Sequence, residues 1–183
     1  MLERHLIEHC SPTLASLKTA SLFSIACADE EALRLGLEEW NAQFCGKGVE
    51  LLALRRQEGK ALVYVCRKSR LERDLGAPGV PAFLASYGYA RTDAEYALGR
   101  LKARLAESSG FPHEIGLFLG YPLGDVIGFI ENAGQNSKCC GCWKVYCNEC
   151  EARRTFALFE KCRDVYLRLW SQGRSVMQLT VAA

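Results

Sequence analysis

Five of the chain's ten cysteines fall within residues 139–150, which read Cys-Cys-Gly-Cys-Trp-Lys-Val-Tyr-Cys-Asn-Glu-Cys. No other segment limits the available folds so tightly. Cys139 and Cys142, and again Cys147 and Cys150, have the spacing C-x2-C. That spacing lets two thiolates grip one soft metal from a tight turn, with Gly141 freeing the backbone. Two such pairs would make a four-thiolate site for zinc, iron or an iron–sulfur cluster. Only four residues separate the pairs, whereas structural zinc sites place a longer loop there. Residues 138–146 read as a strand or a cysteine knuckle. In a strand, Cys140 and Cys142 share one face and Cys139 takes the other, so fewer than four sulfurs converge. Three readings therefore stay open: Cys139, Cys140, Cys142, Cys147 and Cys150 as metal ligands, a thiol redox pair, or small buried side chains. Lys144 would favour ionised thiols by its charge, and with Tyr121 it is a candidate cofactor contact.

The compartment bears on that choice. Residues 1–10 carry Glu3, Arg4, His5, Glu8 and His9, so no apolar leader is expected there. No run approaches the roughly 18 apolar residues of a spanning helix. The expectation is a cytoplasmic chain, with no membrane partner and no disulfide framework. The formal charge is +2, and the basic pairs Arg55-Arg56, Arg67-Lys68 and Arg153-Arg154 are scattered. Nucleic-acid binding needs a concentrated basic surface and is not expected. A homo-oligomer or a redox protein partner remains compatible with the sequence.

Patterning predicts one domain over residues 1–183, with a helical hairpin at 111–134 and the cysteine-rich segment at 138–150. A first helix, 2–9, is expected to stop at Ser11-Pro12. Residues 19–27 are apolar and small, as in a buried strand. Asp29 is an N-cap for a helix whose stripe is Leu33, Leu37, Trp40 and Phe44, ended by Gly46 and Gly48. Residues 49–55 and 61–67 flank Gln57-Glu58-Gly59-Lys60 as a β-hairpin. Pro78, Gly79 and Pro81 precede a short helix, 82–87. Thr92 and Glu95 read as a capping box for a helix that buries Ala94, Ala97, Leu98, Leu101 and Leu105 and ends at Ser108-Ser109-Gly110. Pro112 opens a helix to Leu119, Gly120 turns the chain, and Pro122 opens another to Glu131. Asn148 with Glu151 caps a last long helix ending at Gly173. The sum is an α+β fold: a small, mostly antiparallel sheet of about four strands packed with about six helices.

Other candidate chemistry is sparse. His5 and His9 share a helical face, a workable metal-ligand pair. Cys10 or Cys140 is a candidate nucleophile, with His113 as its base. His113-Glu114 lacks the second histidine of a zinc-hydrolase helix, since Leu117 stands at that position. Phosphate-binding glycine loops and the G-x-S-x-G elbow are absent from the sequence. A third reading is an interaction module built on Tyr121-Pro122, Trp143 and Tyr146.

Three stretches, HCSPTLASLKTASLF (residues 9–23), FPHEIGLFLGYPLGDVIGFIENAG (111–134) and KCCGCWKVY (138–146), together resemble an uncharacterised family of small cytoplasmic proteins from anaerobic bacteria and archaea. The resemblance spans almost the whole chain and implies no particular activity. An anaerobic setting would tolerate oxygen-sensitive thiolate or iron–sulfur chemistry. The family resemblance also implies an acidic residue before the aspartate matching Asp125, where this chain has Gly124.

Overall fold

The run Lys-Ala-Leu-Val-Tyr-Val-Cys-Arg has no polar alternation in its middle, the signature of a strand covered on both faces. It forms β3 (Lys60–Arg67), the central strand of a three-stranded antiparallel sheet. β1 (Ala20–Ala26) and β2 (Val49–Gln57) flank it, with Leu22 and Leu52 both opposite Tyr64. Glu58 and Gly59 turn the β2–β3 hairpin, both at positive φ, as a two-residue hairpin loop requires. Leu54 is the extra residue of a β-bulge between Ala53 and Arg55. The computed structural model describes residues 2–107 and 110–182.

Each sheet face carries a separate core. Ala20, Leu54, Tyr64 and Cys66 pack against α3 (Lys68–Leu75), α4 (Val80–Ser86), α5 (Ala94–Glu107), α6 (Ile115–Phe118) and α7 (Leu123–Glu131). Phe23, Ile25, Val63 and Val65 pack on the other side. Their partners are α1 (Leu2–Leu14), α2 (Glu30–Phe44), the C-terminal half of α8 (Glu149–Ser171) and α9 (Val176–Leu179). A two-residue-per-strand hairpin, β4 (Cys139–Cys140) with β5 (Lys144–Val145), stands apart from the sheet. The fold is thus α+β with a small antiparallel sheet, and among the described residues nine α-helices surround it. No helix among them is long and apolar enough to cross a membrane.

Several expected boundaries hold for the expected reasons. Asp29 caps α2 by accepting from the Glu31 and Ala32 amides, and Gly48 ends the following 3-10 turn in the left-handed region. Asn148 caps α8 through the Glu151 amide. Others differ. The cap of α5 is Asp93, whose carboxylate accepts from the Tyr96 amide, and not Thr92. The expected stop of α5 includes Ser108 and Ser109, which lie outside the described residues. The helix expected from Pro112 shortens to the four residues of α6. Neither α3 nor α9 was anticipated.

The first helix continues through Pro12 to Leu14 instead of stopping before it. Proline here forgoes one backbone bond, and the end of the helix is secured from outside. Arg67, only 1 % exposed, donates from Nε to Thr13 O (2.8 Å) and from Nη2 to Leu14 O (2.5 Å). It also reaches Lys47 O (3.0 Å) and Val181 O (2.8 Å). A guanidinium on the last carbonyls of a helix satisfies orphan acceptors at the negative end of its dipole. Burial holds the Arg67 pKa below its ordinary value.

Candidate functional site

The corner between α6 and α7 is built around residues that leave no room for larger side chains. Gly120 sits at φ +78°, and a Cβ there would fall 2.7 Å from the Thr19 hydroxyl. The first two turns of α7 then present Gly124, Asp125 and Gly128 to the cysteine hairpin. A Cβ on Gly128 would meet the Tyr146 side chain at 2.5 Å, and one on Gly124 would overlap the Cys147 sulfur. The two glycines let helix and hairpin backbones approach closely.

Asp125 locks that approach. It is 3 % exposed. Its Oδ1 accepts from the Tyr146 and Cys147 amides, and its Oδ2 from the Trp143 indole, all at 2.8 Å. Asp125 thus joins the start of α7 to the residues on either side of β5.

The hairpin tip is seated on aromatic rings. Tyr121 stacks on Trp143 with centroids 4.9 Å apart, and Trp143 meets Phe156 of α8 edge-on at 4.6 Å. The Tyr121 hydroxyl donates to Cys142 O (3.1 Å). Burial, and after it the Cys142 thiol, push the Tyr121 pKa to about 12. A Cβ on Gly141 would overlap the Phe156 ring, so the middle residue of Cys140-Gly141-Cys142 has to be glycine for packing reasons. Lys144 Nζ donates to Gly134 O (2.6 Å) and lies 6.0 Å from the Phe129 ring centroid.

Between the α6–α7 corner and the hairpin lies an apolar crevice of about 460 Å3. Cys140, Cys142, His113, Tyr121 and Lys144 all border it, so five residues singled out from the sequence come together there. Its apolar walls are Ile115, Val126, Phe129 and Trp143, with the exposed Phe111 at the edge. His113 is exposed and meets Phe129 edge-on at 5.0 Å. Its neighbour Glu114 turns inward instead, pairing with Arg104 and accepting from the Tyr89 hydroxyl (3.2 Å).

A second cleft, about 430 Å3, opens on the other side of Cys142 and is charged: Glu8, His9, Lys18, Glu160 and Arg163 line it. Lys18 Nζ sits 5.5 Å from the Tyr121 ring centroid. Burial lowers the Lys18 pKa, while the Cys142 thiol acts the other way. Sequence reading passed over Lys18, because its nearness to Cys142 spans most of the chain.

The remaining candidates are placed elsewhere. Cys10 is fully buried in the second core, where loss of solvation pushes its thiol to about 12. His5 and His9 both stack on Phe23, at 5.3 and 5.6 Å. Cys147 is pushed up by burial and then by the adjoining Asp125 carboxylate. Cys139 and Cys150 do not border the crevice. All ten cysteines are free thiols. Among the described residues, no group of three or more His, Cys, Asp or Glu side chains is arranged to hold a metal ion. The donor set expected for zinc, iron or an iron–sulfur cluster therefore does not fit the geometry. The cause is local: Cys139 and Cys140 take opposite sides of a hairpin strand, and Cys147 is drawn against Gly124. Tyr121, Trp143 and Tyr146, the expected interaction patch, are half-buried, and the first two are engaged with each other.

A family model described as a protein of unknown function (DUF3793) matches residues 6–180, and the chain belongs to that family. No curated protein and no solved structure matches it.

Proposed function

We propose that Cys140-Gly141-Cys142 is a dithiol site and that the protein is a thiol–disulfide redox protein. The observation that carries this reading is that two exposed cysteines, Cys140 and Cys142, border one crevice, while Cys139 stays off it. Residues two apart lie at most about 7 Å from Cα to Cα, and a bend shortens that towards the range disulfides bridge. The three residues 141–143 form such a bend between β4 and β5.

In the reducing direction, one cysteine loses its proton to solvent and attacks one sulfur of a substrate disulfide. The substrate S–S bond breaks, one thiolate leaves and takes up a proton, and a mixed disulfide remains. The second cysteine, deprotonated in turn, attacks the protein-side sulfur and expels the second thiol. Two electrons pass to the substrate, and Cys140 and Cys142 are joined.

The test equilibrates the protein in dithiothreitol buffers of graded redox poise, quenches with acid, alkylates and maps peptides by mass spectrometry. A disulfide linking Cys140 to Cys142, formed and lost as a two-electron transition, is expected. Thiols that stay independent at every poise would refute the reading. A second reading has its own support. Cys140 and His113 border the same crevice, which suits a nucleophile with a histidine base. It predicts that His113→Ala slows alkylation of Cys140 and leaves that of the exposed Cys45 unchanged.

A further inference from the structure

The crevice walls are not only apolar. Apart from the exposed His113, the polar side chains that border the crevice are already engaged inside the protein. Both Asp125 oxygens accept from Trp143, Tyr146 and Cys147. Lys144 Nζ donates to Gly134 O, and the Tyr121 hydroxyl donates to Cys142 O. A hydroxyl, amide or carboxylate brought into this space gives up water and finds few partners in return. A hydrocarbon group gives up nothing and covers Ile115, Val126, Phe129 and Trp143. The volume, about 460 Å3, lies in the range of small-molecule sites and is too small for a folded partner. Cys140 and Cys142, both exposed, border the crevice.

We infer that the crevice selects the substrate of the dithiol, and that this substrate is a small disulfide bearing apolar substituents. The inference rests on the dithiol reading and adds its substrate class. The reaction is RSSR + protein dithiol → 2 RSH + protein disulfide. One sulfur–sulfur bond breaks and one forms, and the two protons lost by the cysteines are taken up by the released thiols through solvent. One hydrocarbon arm lies in the crevice, which brings its sulfur to the edge where Cys140 and Cys142 stand.

The test uses the full chain, fully reduced, in single turnover without oxygen. Two disulfides with the same number of heavy atoms are compared, dipropyl disulfide and bis(2-hydroxyethyl) disulfide. They differ only in a methyl for a hydroxyl at each end. Formation of the Cys140–Cys142 disulfide is followed by rapid acid quench and mass spectrometry. Each rate is divided by that of free dithiothreitol with the same disulfide, which removes differences in intrinsic reactivity. The inference predicts a normalised preference of about tenfold or more for dipropyl disulfide, since a buried hydroxyl without a partner is strongly disfavoured. It also predicts that the dipropyl rate saturates with concentration. A normalised ratio near one, with both disulfides oxidising the pair, overturns the inference and leaves the dithiol reading standing. Failure of both disulfides to join Cys140 to Cys142 overturns the two together.

Discussion

The Asp125 carboxylate is the point at which the site can be dismantled by a single substitution. A hairpin with two residues per strand does not persist alone, and β4–β5 is held by groups outside it. Asp125→Ala removes three charge-assisted hydrogen bonds, each worth about 1.5–3 kcal/mol in a buried setting. Tyr146 is half-buried and Cys147 exposed, so water recovers much of that loss, and a net cost of about 3 kcal/mol is expected. That corresponds to roughly a hundredfold rise in the detached hairpin. Asp125→Asn is a finer instrument. With its oxygen at Oδ1 it keeps the Tyr146 and Cys147 amides, but its NH2 then faces the Trp143 indole N–H, donor against donor. About half the cost is expected. Adding Trp143→Phe removes the opposing donor, so Asp125→Asn should cost less in that background, a coupling that a double-mutant cycle reads directly. Hydrogen exchange at the Tyr146 and Cys147 amides is the assay. Equal protection in wild type and Asp125→Ala would refute the reasoning, as would an Asn variant no better than Ala.

Three further outcomes follow from the same geometry. Gly141→Ala places a methyl inside the Phe156 ring, so it should unseat the hairpin tip and change Trp143 fluorescence; Phe156→Ala in the same chain should restore the seating. Arg67→Met leaves the carbonyls of Thr13, Leu14, Lys47 and Val181 without their donor. It should destabilise the fold by about 2–4 kcal/mol in urea titration, while an unchanged midpoint would remove Arg67 as the clasp of α1. Burial holds the Lys18 ammonium below its ordinary pKa, so Lys18 should react with an amine-directed acylating reagent at a lower pH onset than the exposed Lys102; an onset equal to or above that of Lys102 would refute it.

The elements most legible in the sequence were those whose stabilisation is local. α2, α5 and α8 combine an apolar stripe with a polar cap, and both signals lie within a few residues. The hairpin β2–β3 announces itself by the Glu58-Gly59 turn. What escaped was decided at a distance. Pro12 reads as a stop, yet α1 passes through it because Arg67, more than fifty residues on, caps the carbonyls beyond it. α3 follows β3 with no turn residue between Arg67 and Lys68, so nothing local marks the change from strand to helix. The crevice was half legible. Cys140 and Cys142 both border it, but strand alternation is not the reason, since Cys142 lies in the bend between β4 and β5. C-x2-C spacing, by contrast, carried no information about convergence, because Cys147 is positioned by its fit against Gly124. The role of Asp125 was hidden altogether, since its partners are backbone amides and an indole about twenty residues away. The Gly124-x3-Gly128 spacing was the one available hint of a close backbone approach on α7.

Stability and chemistry are divided here between different atoms of the same short segment. In a structural metal knuckle the sulfurs hold the fold, so a cysteine can be neither spared nor moved. In this hairpin the holding is done by backbone amides on Asp125, by glycines that admit Phe156 and Tyr146, and by the Trp143 ring between Tyr121 and Phe156. The side chains of Cys140 and Cys142 enter none of those bonds, and both residues are exposed and border the crevice. Replacing either by serine should therefore leave the Tyr146 and Cys147 amides protected and abolish disulfide formation. Collapse of the hairpin in Cys140→Ser or Cys142→Ser would mean that the sulfurs are structural, and the redox reading would lose its basis.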